Sequence, residues 1–235
     1  MPAVLANILV GLATSLISAA SLWLWQRAAA AGRARSRTRF FGVAPGQNCL
    51  VVMGHHHGSP DVVSHHDVHA VLELGALLNE LGATASFESA GTFRGGNGGR
   101  TEFCLSGPNA NERTAAHLAH HLPGVAFRPY GDGPDAIALL VGGQEHRWVR
   151  DELGHAILAK FTPPGQQAPV FLICGQSTEA NRGAVHYLRH HHPHLTRTLP
   201  SLDRFCLILR VSGITTYAHE QVTLLTDATE TAFTP

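Results

Sequence analysis

Cys49-Leu50-Val51-Val52-Met53-Gly54 is a short unbroken apolar run closed by a glycine, and this run, taken together with the helix and strand signals after it, decides the fold. At this length, an apolar run bounded by a turn signal reads as a buried strand rather than a helix. From Asp67 to Leu81 the apolar residues Val68, Val71, Leu72, Leu74, Leu78 and Leu81 recur at helical spacing. Ser64 or Asp67 stands where an N-cap is needed, and Gly82 closes the end. Thr84 to Glu88 is then a second strand. Strand, helix and strand in this order make a βαβ unit, the element from which parallel α/β sheets are built.

The pattern returns twice, as a strand at Thr101 to Ser106 leading into a helix from Asn111 to Leu122, and a strand at Val170 to Cys174 leading into a helix from Glu179 to His192. The two returns share strand, Gly, polar cap, Asn/Arg and helix, which is better explained by one geometric need met twice than by an internal repeat. Val125 to Phe127, Ala136 to Val141, Leu153 to Phe161, Phe205 to Val211 and Val222 to Leu225 read as further strands, with Gly142-Gly143 as a turn. Ala90 to Gly99 holds too many glycines for a regular element and is expected to be a mobile loop of the kind that covers a site. The expected fold is a Rossmann-like α/β domain over residues 47–235, with a mostly parallel sheet and helices on both faces.

Ahead of that domain, Ala3 to Trp25 carries no charge, and Arg27, Arg33, Arg35, Arg37 and Arg39 come next with no acid among them. A spanning helix needs roughly 20 mostly apolar residues, and Lys/Arg excess marks the cytoplasmic flank. The expectation is one transmembrane helix over 1–26, with Trp23 and Trp25 at headgroup depth, and a basic juxtamembrane linker over 27–46. The N-terminus then lies outside the plasma (inner) membrane and the domain in the cytosol. A cleaved signal peptide has its positive residues before the apolar stretch, the reverse of the order here. Gly11 and Ser15 are the small residues through which a second copy would pack to form a homo-oligomer.

Beyond residue 40 there are 12 basic and 17 acidic residues, a formal charge of −5. That balance argues against a nucleic-acid partner, and it assigns the basic collar to the anionic surface of the lipid bilayer. Cys49, Cys104, Cys174 and Cys206 are widely spaced beside or inside apolar runs, as core thiols of a reducing compartment are, and no zinc-finger spacing exists.

In a parallel sheet, ligands sit beyond the carboxyl ends of the strands, where N–H groups at helix N-termini face an anion. Three strand-to-helix junctions supply glycine for close backbone approach and polar side chains for phosphate or ribose. The first offers Gly54, His55 and Ser59, the second Gly107, Asn109 and Asn111, and the third Gly175, Ser177 and Thr178. Taken singly these are ordinary turns, with Asn109 and Glu112 as a capping box and Ser177 or Thr178 as an N-cap. Together they make a crevice suited to a small phosphate- or nucleotide-like ligand. No G-x-G-x-x-G or G-K-[ST] motif is present.

The strand-Ser-Gly-Pro-x-x-Asn junction from Leu105 to Asn111, the strand-Cys-Gly-Gln-Ser-Thr junction from Ile173 to Thr178 and the N-terminal span resemble membrane-tethered Rossmann-like sensor domains. These include the SLOG, TIR-like and CARF groups of bacterial signalling and defence systems. The resemblance covers about Cys49 to His194 and implies binding or cleavage of a nucleotide. The glycine signature of SLOG domains is missing, and no acid matches a TIR-like catalytic Glu, so the resemblance bears on binding more than on catalysis.

All 17 histidines lie after residue 40, and His65/His69, His117/His121 and His186/His190 are i,i+4 pairs that share a helix face. Most of the histidines read as polar side chains in solvent. His55, His57 and Asp61 are the candidate ligands for a divalent metal in the first junction. Glu88, Glu102 and Cys174 are the candidate catalytic groups. These define a second expectation, a metal-dependent hydrolase or nucleotide-cleaving enzyme. A third is a non-catalytic membrane scaffold.

Overall fold

The computed structural model describes residues 2–234 except 56–58, 60, 61, 64, 132 and 134; the side chains of 2–10, 12, 13, 65 and 66 also lie outside the description. In chain order the elements are α1 (Pro2–Phe41), β1 (Asn48–Met53), α2 (His65–Glu80), β2 (Thr84–Ser89), β3 (Glu102–Leu105), α3 (Glu112–His121), β4 (Val125–Phe127), β5 (Leu139–Val141), β6 (Gln144–His146), β7 (Leu153–Phe161), β8 (Val170–Gly175), α4 (Thr178–Thr198), β9 (Phe205–Ser212), α5 (Ile214–Tyr217), β10 (Val222–Asp227) and α6 (Thr229–Ala232). The βαβ unit and its two returns stand where the apolar periodicity places them.

This is a mixed α/β fold built on a seven-stranded sheet of order β10-β9-β7-β8-β3-β1-β2. β2, β1, β3 and β8 pair in parallel, while β7 pairs antiparallel with β8 and β9, and β10 antiparallel with β9. Five strands therefore point one way, and β7 and β10 oppose them. Alternate residues of the central strands feed two apolar clusters, one on each face. Val51, Phe103, Phe171 and Ile173 meet α2, α4 and the end of α1, whereas Leu50, Val52, Cys104, Leu172 and Cys174 meet α3, the β4-β5-β6 sheet and α6. Because β3 hands its chain to a helix on one face and β8 to a helix on the other, the two connections diverge and leave a gap between them at the carboxyl edge.

α1 runs unbroken for 40 residues, about 60 Å at ~1.5 Å per residue, through the basic stretch and into the domain. Phe40 and Phe41 are fully buried, and the Lys160 ammonium donates to the carbonyl of Phe40 at 2.7 Å, satisfying the helix end. Among the described residues, no helix is long and apolar enough to cross a membrane. The side chains of residues 3–10, 12 and 13 of the charge-free run lie outside that description. Farther along α1, Leu16, Ile17, Leu22, Trp23, Leu24 and Trp25 are all exposed.

Local departures from the sequence expectations have physical causes. α4 continues past Pro193 to Thr198, because His192 Nδ1 donates to the carbonyl of Arg189 at 2.9 Å, the acceptor that Pro193 leaves without its N–H. β5 begins only at Leu139, since Ile137 sits at φ +51 and its N–H turns back to Pro129. β6, polar in sequence, forms because Gly142 and Gly143 (φ +55 and +80) give the two-residue turn that pairs Gln144 with Val141. Within Ala90–Gly99 there is no regular element, but the loop is anchored: Arg94 donates to the carbonyls of Ala90, Gly91 and Phe93, and buried Asn97 donates to Gln166. All four cysteines are unpaired and buried, with burial pushing the thiols up, to about 11 at Cys49 and about 12 at Cys206.

Candidate functional site

The gap between the ends of β3 and β8 is a cavity of about 360 Å³ whose walls include Gly107 and Asn109 on one side and Gly175, Ser177 and Thr178 on the other. Two of the three junctions picked out in the sequence therefore line one crevice. Their glycines are required by close approach: a Cβ on Gly107 would lie 2.9 Å from the carbonyl oxygen of Gly175, and one on Gly175 would lie 2.8 Å from both the Ala180 Cβ and the Asn181 nitrogen. The same holds beneath the cavity, where a Cβ on Gly54 would come 2.6 Å from that of Ser106.

The floor is a buried hydrogen-bond chain. Ser106 Oγ donates to Asp67 Oδ2 at 3.2 Å, Asn181 Nδ2 donates to Asp67 Oδ1 at 3.3 Å, and the Gly175 N–H donates to Asn181 Oδ1 at 2.7 Å. Ser106 holds φ +91, a conformation that non-glycine residues adopt rarely and that clusters at functional sites. Ser177 Oγ accepts from the Ala180 N–H at 3.2 Å and caps α4, whose earlier N–H groups have no intrahelical acceptor. Phe127, Tyr130 and Ile137 close the opposite side. Gln176 fixes that side to the sheet: Nε2 donates to the carbonyls of His146 (2.7 Å) and Ile137 (3.2 Å), and Oε1 accepts from the His155 N–H (2.7 Å). Among the described residues Asp67 is the only charged one in the lining, with no Lys or Arg joining it.

The remaining sequence candidates lie elsewhere. Asn111, not Asn109, caps α3: its Oδ1 accepts from Arg113 (3.1 Å) and Thr114 (3.0 Å), while Nδ2 donates to the carbonyls of Val52 (3.1 Å) and Leu105 (2.8 Å). Its hydrogen-bonding capacity is thus used within the fold. His55 pairs through Nε2 with Glu112 at 2.8 Å, and the Ser59 carbonyl accepts from Val62. His57 and Asp61 lie outside the described residues. Glu88 sits on edge strand β2, and Cys174 is sealed inside β8.

Glu102 is at the amino end of β3, away from the crevice, and has no exposed surface. Its carboxylate takes a two-point bond from Arg113, Nη2 to Oε2 at 2.7 Å and Nε to Oε1, and further bonds from His117 Nε2 at 2.9 Å and the Cys104 thiol at 3.1 Å. Burial pushes its pKa up, but these bonds prevail and hold it at about 2. Its charge is neutralised within the fold, as a structural carboxylate's is. The acid in the crevice is Asp67, which in sequence is indistinguishable from a helix cap. Asn181 and Tyr130 carry no sequence signal beyond their type.

Compared with known proteins, the chain matches no protein-family model and no curated protein sequence.

Proposed function

We propose that this chain is a membrane-anchored protein whose α/β domain, Rossmann-like in its parallel half, binds a nucleotide-like ligand in the crevice between β3 and β8. The observation that carries the reading is the pairing of a polar floor with an aromatic wall. Tyr130 and Phe127 offer an apolar face to a base, the first-turn N–H groups of α4 offer donors to one phosphate, and Asp67 offers acceptors to ribose hydroxyls. A bare phosphate or a highly charged polyphosphate fits less well, because the lining carries one negative charge and no described positive one. The anchor rests on the uncharged run before Trp25, the basic residues behind it and the exposed apolar side chains along α1. In this reading the N-terminus lies outside, the crevice faces the cytosol, where nucleotides are supplied, and the role is sensory.

The experiment is thermal unfolding of the full-length chain in detergent with a panel of nucleosides, mononucleotides and dinucleotides. A ligand at a hundredfold excess over its Kd stabilises the native state by about 2.7 kcal/mol. Tyr130 is 68% exposed, so Tyr130→Ala leaves the unliganded melting temperature unchanged while removing the shift. A panel with no stabilising member refutes the reading. Asp67 is also the one observation favouring a nucleotide-cleaving enzyme, since it puts a carboxylate within the ligand cavity; product analysis of the stabilising nucleotide after incubation separates turnover from binding.

A further inference from the structure

Away from the crevice, α2 and α4 pack side by side, and the i,i+4 pair His186 and His190 on α4 faces Glu73 on α2. His186 Nδ1 lies 2.9 Å from Glu73 Oε1, His190 Nε2 lies 3.9 Å from the same oxygen, and His219 Nε2 lies 3.9 Å from Glu73 Oε2. The donor atoms of Glu73, His186 and His190 fall within 4.8 Å of one another. Zinc bonds of about 2.0–2.1 Å in a tetrahedron hold neighbouring donors roughly 3.4 Å apart. The separations of His186 and His190 from the Glu73 oxygen bracket that distance.

His219 flanks the trio. It is only 7% exposed, and among the described residues its Nδ1 is buried with no hydrogen-bond partner. Its ring packs edge-on against His186 at 5.3 Å, and the His186 and His190 rings lie 4.4 Å apart. Two imidazoles from one helix face meeting at a single part-buried carboxylate are a ligand set more than an ion pair. His219 also lines an open recess of about 420 Å³ with His69, Asp151 and Arg182.

We propose that Glu73, His186 and His190 form a site for a divalent transition-metal ion of the zinc class, flanked by His219 and distinct from both the crevice and the first junction. Such an ion takes lone pairs of both imidazoles and of the carboxylate and clips α2 and α4 together. The comparable trio of Glu102, Cys104 and His117 does not qualify, because the Arg113 guanidinium already occupies that carboxylate.

The test is titration of the full-length chain with Co²⁺, read by its visible absorption, and competition with Zn²⁺. Expected are one equivalent with the absorption of a four-coordinate ion, and at least tenfold weaker binding in His190→Ala, which alters a half-exposed side chain and leaves the fold intact. Glu73→Gln, which keeps the side-chain shape, weakens binding likewise. A His191→Ala/His194→Ala double variant, altering the same histidine-rich helix outside the cluster, leaves the affinity unchanged. Stoichiometric binding that the double variant abolishes and His190→Ala does not, or no one-to-one binding at all, overturns the proposal.

Discussion

Replacing Glu102 with glutamine removes one negative charge from a position without exposed surface and leaves its shape in place. Arg113 then keeps its bond to the Gly95 carbonyl (2.8 Å), its stacking on Phe93 (5.2 Å) and one bond to the amide oxygen, while its former carboxylate partner is neutral. Two routes give the cost. Breaking a buried ion pair by removing one partner costs about 3–5 kcal/mol. Independently, the carboxyl titrates at about 2 in the folded chain against its ordinary 4.5; at 1.36 kcal/mol per pH unit that amounts to about 3 kcal/mol. The sign follows from linkage. A depressed carboxyl stabilises the fold fully above pH 4.5, and the contribution is lost as the pH falls through about 2. Urea unfolding of the full-length chain and of Glu102→Gln should therefore differ by about 3 kcal/mol at pH 7, and the difference should shrink toward zero between pH 4.5 and 2. A difference under about 1 kcal/mol at pH 7, or one that persists at pH 2, would refute the assignment of Glu102 to a structural ion pair.

The same contacts fix other outcomes. Asn111→Ala should cost about 2 kcal/mol in denaturant unfolding, since it removes the α3 cap and strands two buried carbonyls, whereas Asn109→Ala on the exposed rim should stay within about 0.5 kcal/mol. Gly175→Ala should lower stability by roughly 1–3 kcal/mol through the 2.8 Å approach to Ala180, measured by the shift in midpoint at constant slope. Burial holds the Lys160 ammonium at about 8 against its ordinary 10.5, so the unfolded chain keeps that proton to higher pH. Stability should rise with pH across this window, and Lys160→Met should abolish that part of the slope.

The parallel half of the sheet was legible because β1, β3 and β8 are buried on both faces and carry short apolar runs, Phe103 to Leu105 in β3, while α2 carries its stripe at helical spacing. Two of the three junctions were legible as a crevice because glycine permits strand-end loops to approach closely, and at Gly107 a Cβ would lie 2.9 Å from the Gly175 carbonyl oxygen. The features that stayed hidden depend on tertiary contacts. The role of Asp67 is set by Ser106 and Asn181, which are distant in sequence; alone, it reads as a cap. The assignment of the α3 cap to Asn111 rather than Asn109 turns on which amide reaches the carbonyls of Val52 and Leu105. Extension of α4 past Pro193 depends on one imidazole occupying the orphaned carbonyl. Antiparallel insertion of β7 between β8 and β9 has no local signature, because a strand buried on both faces looks alike in either direction.

The most direct measurement is a crystal structure of the full-length chain with the nucleotide that stabilises it most. The expected result is the base against Tyr130 and Phe127, a ribose hydroxyl within hydrogen-bonding distance of Asp67 and a phosphate at the first turn of α4. A nucleotide bound elsewhere, with the space between Gly107 and Ser177 unoccupied, would contradict a ligand site between β3 and β8.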